Sequence, residues 1–105
     1  MNEDQVLAAF GALSNKMRLQ VLRQLVEAGP DGLLAGQAAE ALGASPSKMS
    51  FHLSALQEAG IVMSERQSRQ IIYRVDFQAI GDVMRFLLQD CCKGNATVRQ
   101  CCTGM

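Results

Sequence analysis

The sequence predicts a mainly α-helical domain that carries a single β-hairpin. Apolar residues recur at helical spacing from near the N-terminus to Gly60. The period then changes, with Ile61-Val62-Met63 and Ile71-Ile72-Tyr73-Arg74-Val75 rich in β-branched and aromatic side chains, and from Asp76 the helical period returns. At 105 residues the chain can bury one modest core and is too short for an elaborate active-site cleft. The expected organisation is one domain over residues 1–90 and a cysteine-rich tail over residues 91–105.

Taken in order, Val6, Leu7, Phe10 and Leu13 define a short amphipathic helix with acids in its first turn, where the helix dipole favours them. Ser14 is expected to cap a second helix whose apolar stripe is Met17, Val21, Leu22, Leu25 and Val26, stopped by Ala28-Gly29-Pro30. The Asp31-Gly32 turn leads to a small third helix near residues 36–42, whose alanines allow another helix to come close. Gly43-Ala44 is the short connection that a helix-turn-helix needs. Beyond Gly60, the polar run Glu65 to Gln70 forms the charged tip of the hairpin. Asp76 then caps a last helix with Phe77, Ile80, Val83, Met84, Leu87 and Leu88 on its apolar side, reaching about residue 89 or 90.

The fourth helix, SPSKMSFHLSALQEAG, has marked ends: Ser45 as N-cap, Pro46 at the first helical position and Gly60 as C-cap. Met49, Leu53 and Leu56 share its buried face. The opposite face carries Ser47, Lys48, Phe51 and Ser54, flanked by Ser50 and His52, and no carboxylate interrupts it before Glu58. A face built only for solubility mixes Glu with Lys, whereas hydroxyls, an ammonium and an imidazole offer donors to phosphates and base edges. The expectation is a helix that reads DNA. His52 lies roughly 70° from the centre of the buried face on the helical wheel, so a histidine satisfied by a neighbour and a DNA contact remain equal alternatives. Phe51 either meets a thymine methyl or lies flat on the helix, and Arg18 either reaches phosphate or forms a structural ion pair.

Ten bases balance ten acids, so net charge gives no argument for nucleic acid. Between Ser45 and Val75, however, four bases (Lys48, Arg66, Arg69, Arg74) face two acids (Glu58, Glu65), a weak positive footprint. No apolar run approaches the ~18 residues of a membrane span and no basic-then-apolar leader opens the chain, so no membrane partner is expected and the cytoplasm is the expected location. All four cysteines fall in the last fifteen residues as two adjacent pairs, Cys91-Cys92 and Cys101-Cys102. An enzyme is not expected: there is no Cys-x-x-Cys, no phosphate-cradling loop, and the one histidine is far along the chain from the thiols. A winged-helix module that binds only protein is the third class of reading.

The order of elements resembles a winged helix-turn-helix, and several strings over residues 6–90 resemble the ArsR/SmtB family of metal-responsive repressors. Leu13-Ser14-Asn15-Lys16-Met17-Arg18-Leu19 is similar to the family's second-helix opening, with Lys16 in place of its usual proline. Ser50-Phe51-His52-Leu53, followed by Leu56 and Ala59-Gly60-Ile61-Val62, resembles the recognition-helix signature. Arg66-Gln67-Ser68-Arg69 and Tyr73 resemble the wing, although Ser68 replaces a usual glycine; if that position needs φ > 0, the serine costs on the order of 1 kcal/mol. The resemblance implies double-stranded operator DNA as the partner, with Ser47, Lys48, Ser50, Phe51, His52, Ser54, Arg66 and Arg69 expected at the interface. The broad apolar stripe of the last helix predicts either packing against the first helix of the same chain or a partner subunit, and reading two half-sites favours a homodimer joined through residues 3–13 and 77–90.

The family's arsenic box matches Leu33-Leu34-Ala35-Gly36-Gln37, which holds no sulfur, and its zinc site needs histidine on a last helix that here has none. What remains is the tail, which resembles an arsenical-sensing subgroup with a vicinal pair and a later cysteine. Trivalent arsenic or antimony is thiophilic and takes three thiolates, so Cys91, Cys92 and either Cys101 or Cys102 suffice if the loop turns back. Lys93-Gly94-Asn95 supplies turn residues, and Lys93 with Arg99 would favour thiolates. The expected function is a repressor released by arsenite, with no organic cofactor. A zinc-responsive or thiol-redox-responsive winged-helix regulator is the alternative, a four-thiolate zinc site and a disulfide switch each using the same cysteines. An inert tail is the plainest reading of all.

Overall fold

Asn2 opens the first helix through a reciprocal cap: its Oδ1 accepts the Gln5 N–H at 2.8 Å while the Gln5 Oε1 accepts the Asn2 N–H at 2.8 Å. The computed structural model describes residues 1–103, and from this cap α1 spans Glu3–Leu13. Helix α2 spans Lys16–Ala28 and is capped by Asn15, whose side chain accepts the Arg18 N–H at 3.1 Å. Ser14, the expected cap, instead closes α1 by donating its N–H to the Phe10 carbonyl at 2.9 Å. A single 3₁₀ turn over Gly29–Asp31 leads into β1 (Leu33–Leu34), then α3 (Ala35–Leu42) and α4 (Pro46–Glu58). The hairpin is β2 (Val62–Gln67) and β3 (Gln70–Val75), followed by α5 (Phe77–Arg85), a π-helical turn over Phe86–Cys91 and α6 (Ala96–Thr103).

The three strands form one antiparallel sheet in the order β1-β3-β2, with Leu33 opposite Tyr73 and Val62 opposite Val75. Two residues are too few to show a period, so β1 carries no sequence signal; it exists because β3 offers an edge beside it. Gly32 makes that approach possible. Its φ is +67°, and a Cβ there would stand 2.5 Å from the Tyr73 carbonyl oxygen. At the other end of the sheet Gln67 pairs with Gln70, leaving Ser68 and Arg69 as a two-residue turn in which Ser68 takes φ +58°. The serine that replaces glycine thus does adopt the left-handed conformation, and the strands run further into the polar tip than the sequence predicts.

Val21, Leu25, Met49, Leu53, Leu56 and Ile61 are the largest fully buried side chains. They fix α4 by its inner face against α2 and the base of the hairpin. Two expected stripes are corrected. In α1 the buried residues are Val6, Ala9 and Ala12, while Leu7 (58 %) and Phe10 (42 %) stay exposed. In α2, Val26 is also exposed, because it lies about 100° around the helix from Leu25, which is fully buried. Alanines let α1 dock closely, and its larger side chains are left facing outward.

The last helix departs most from expectation. Its α-type bonding stops at Arg85, and the chain continues as a π turn in which the Cys92 N–H donates to the Leu87 carbonyl at 2.9 Å. Nothing in Phe86–Cys91 demands a wider turn by residue type. The tail then turns on Lys93 (φ +53°) and Gly94 (φ +68°) and becomes helical again in α6, where Asn95 Oδ1 accepts the Thr97 N–H at 2.9 Å. Of the tail over 91–105, residues 104 and 105 lie outside the described residues.

Candidate nucleic-acid interface and thiol cluster

Local chemistry sets α4 in place. Ser45 Oγ accepts the Lys48 N–H at 3.2 Å, Pro46 occupies the first helical position, and Gly43 takes the left-handed φ of +65° that turns α3 into α4. The helix ends at Ala59, with Gly60 one residue beyond at φ +84° rather than at the cap itself. With Met49, Leu53 and Leu56 inward, Ser47, Lys48, Ser50, Phe51 and Ser54 are all exposed on the outer face. His52 is half-buried at the boundary, and its partner is Arg18: the Arg18 Nε–H donates to His52 Nδ1 at 3.2 Å.

Arg18 therefore does not form the expected structural ion pair, since an imidazole nitrogen and not a carboxylate takes its bond. Its guanidinium also lies 5.6 Å from the centroid of Phe51, which is 66 % exposed, and the Phe51 and His52 rings meet edge-on at 5.9 Å. Burial, then the charges of Arg18 and Lys48, push the His52 pKa below its ordinary value. The imidazole is neutral at physiological pH.

The wing carries the other cations. Arg66 Nε–H donates to the Ser68 carbonyl at 3.3 Å and so braces the strained turn, while Arg69 sits at its tip, exposed. Arg74, counted in the positive footprint, is committed elsewhere: it pairs with Glu65 at 2.9 Å and donates to the Pro30 carbonyl at 2.7 Å. The same pairing holds the Glu65 carboxyl below its usual range. That leaves Lys48, Arg66 and Arg69 as the cations that α4 and the wing tip present. Ser50 and Arg69 both line a cleft between α4 and the wing, together with Gln70 and Tyr73.

The thiols gather at the other end of the chain. Cys91 closes the π turn, Cys92 follows it half-buried, and Cys101 and Cys102 lie exposed on α6. Partial burial, a hydrogen bond with Cys91 and the nearby charges of Cys91 and Cys102 raise the Cys92 pKa. The turn at Lys93 and Gly94 places α6 after the vicinal pair. At Cys92 desolvation, and then the neighbouring sulfurs, work against the thiolate. Among the described residues no three His, Cys, Asp or Glu side chains stand together as a metal ion would need, so the sulfurs are neighbours without forming a closed ligand set.

A capped helix held by its apolar face after a tight glycine turn, with a basic-tipped hairpin beside it, defines a winged helix-turn-helix DNA-binding protein. The family described as "Helix-turn-helix domain" matches residues 13–65. The HTH-type transcriptional regulator YgaV of Escherichia coli (strain K12) is 30 % identical over 84 residues, covering 80 % of this chain and 83 % of that protein. Among solved structures, an ArsR-like transcriptional regulator from Rhodococcus sp. RHA1 is 28 % identical with a TM-score of 0.76, covering 97 % of this chain and 96 % of that one. The homodimeric winged helix-turn-helix DNA-binding domain of Mb0332 from Mycobacterium bovis, a possible ArsR-family regulator, is 28 % identical with a TM-score of 0.65, covering 83 % and 84 %. A possible transcriptional regulator for arsenical resistance is 27 % identical with a TM-score of 0.64, covering 85 % and 84 %. The chain belongs to the ArsR/SmtB family of winged helix-turn-helix transcriptional regulators. Among the described residues no helix is long and apolar enough to cross a membrane.

Proposed function

We propose that the protein is a metalloid-responsive repressor of the cytoplasm, a homodimer that holds double-stranded operator DNA through α4 and the wing and lets go when trivalent arsenic, or antimony, engages its C-terminal thiols. The observation that carries the reading is the placement of Cys91 and Cys92 at the end of the π turn that continues α5, with Cys101 and Cys102 on the helix that follows. The likeness to a possible regulator for arsenical resistance supports it. Three soft sulfurs suit a thiophilic ion, and the tail supplies four cysteines from which such a set would have to be drawn together on binding. Cys91 and Cys92 with Cys101 or Cys102 would hold it.

Drawing a sulfur of α6 onto the vicinal pair deforms the turn between α5 and α6. If α5 joins the subunits, the spacing of the two α4 helices changes with it. Release requires the ligand to prefer the non-binding state: a hundredfold loss of affinity corresponds to roughly 2.7 kcal/mol of coupling. The deciding experiment is a DNA-binding titration in reductant with and without arsenite. Wild type should dissociate, the Cys91→Ser/Cys92→Ser double variant should bind DNA and ignore arsenite, and single loss of Cys101 or Cys102 should do less. Dissociation of the double variant by arsenite would remove the thiols from the mechanism.

Proton counting separates this reading from a zinc sensor. Three thiols and As(OH)₃ form three As–S bonds, and each thiol proton leaves with a hydroxide as water, so near neutral pH no net proton appears. Zinc binding to protonated thiols releases one proton per sulfur.

A further inference from the structure

We propose that Arg18 is a positioning residue for DNA reading, because its bond to His52 Nδ1 fixes that ring as the tautomer with the proton on Nε2 and so makes His52 a hydrogen-bond donor from α4. The proposal rests on the reading that α4 faces DNA. An arginine Nε always carries its proton, so at 3.2 Å His52 Nδ1 can only accept. A neutral imidazole has one proton, which must then sit on Nε2. The same guanidinium, 5.6 Å from the Phe51 centroid, holds the aromatic neighbour against the His52 ring, so one side chain of α2 orders two adjacent residues of α4. The ligand this selects is an acceptor: a phosphate oxygen, or the N7 or O6 edge of guanine, rather than the N4 amino group of cytosine.

Because the chain has a single histidine, nitrogen-detected NMR reads this tautomer without assignment ambiguity. The full-length protein should show Nε2 protonated and Nδ1 bare. Arg18→Met, which keeps the apolar stem beside Phe51, should show a tautomer mixture. A proton on Nδ1 in the wild type overturns the proposal without any variant having to fold. Duplexes selected by the wild type from a random library supply the binding arm. Arg18→Met should weaken the selected duplex about tenfold, the worth of one hydrogen bond to a poised donor, with the salt slope unchanged. A slope lower by about one phosphate contact would make Arg18 a backbone ligand and overturn the positioning role. His52→Gln, which keeps an N–H in that region, should retain more of the preference than His52→Leu; equal binding by all three removes the donor role. If the wild type selects no duplex at all, the DNA reading of α4 falls and the donor role with it, whatever tautomer the ring shows.

Discussion

Arg69 is the side chain whose role follows most directly from its place. The strand pairing ends at Gln67 and Gln70, so Arg69 stands at the tip of a rigid two-residue turn, and Arg66 braces that turn through the Ser68 carbonyl. If the tip touches phosphate, Arg69→Ala lowers the dependence of log affinity on log salt by about one contact per subunit. Unchanged salt dependence would take the wing tip off the DNA. His52 gives a prediction about stability. Its pKa is lowered in the folded chain by burial, Arg18 and Lys48, while the unfolded chain keeps the ordinary value near 6.5. Below that pH the unfolded state binds more protons, so the stability that His52 contributes is complete above about pH 6.5 and is lost as pH falls through the folded pKa. Urea midpoints across this range should fall with pH in the wild type and fall less in His52→Gln. Glu65, whose pKa is also lowered, acts only in the acid carboxylate range and does not confuse the comparison.

At the level of the elements, α4 is held chiefly by burial, with the Arg18 bond to His52 added at the edge of its outer face. Met49, Leu53 and Leu56 have no exposed surface, so Leu53→Ala leaves a cavity in the middle of the helix's apolar anchor. A loss of about 3 kcal/mol in urea unfolding is expected, and a loss below about 1 kcal/mol would mean that the neighbours collapse into the space. The end of α5 is organised differently. A π turn is rare and is found most often where a helix serves a site. Here it sets Cys91 and Cys92 at the turn, with the Cys92 N–H bonded to Leu87, so the backbone that positions the thiols is the same backbone that would join subunits. That coincidence is why the cysteine variants proposed above should separate arsenite response from DNA binding.

For the molecule as a whole, α1 and α5 leave large apolar side chains facing outward. Leu7, Phe10, Phe77 and Met84 are each more than two-fifths exposed, which is the surface that the proposed dimer would cover. Pairing two copies through these helices would present two α4 helices to successive major-groove half-sites, about 34 Å apart, under two-fold symmetry. Replacing Leu7 and Phe10 together with glutamate should therefore yield a folded monomer by sedimentation, with operator affinity lost far beyond the loss of charge complementarity at α1. A wild-type chain that sediments as a monomer while bound to DNA would end the dimer reading.

The sequence by itself was enough for whatever repeats along the chain: the change of period at Gly60 and its return at Asp76, the Ser45 and Asp76 caps, the outward residues of α4 and the clustering of thiols after Asp90. These are local properties, written in spacings of two or three and a half residues. It did not contain β1, since two leucines have no period of their own, nor the partner of Arg18, which lies 34 residues away and is not an acid. The apolar count of α1 and α2 was legible, but which residues turned inward was not: docking through alanines buried Ala9 and Ala12 and left Leu7, Phe10 and Val26 outside. The π turn likewise is not written in the residue types of Phe86–Cys91. Helical and strand periods say which faces are apolar; only packing chooses which part of an apolar face is covered and which distant side chains meet across it.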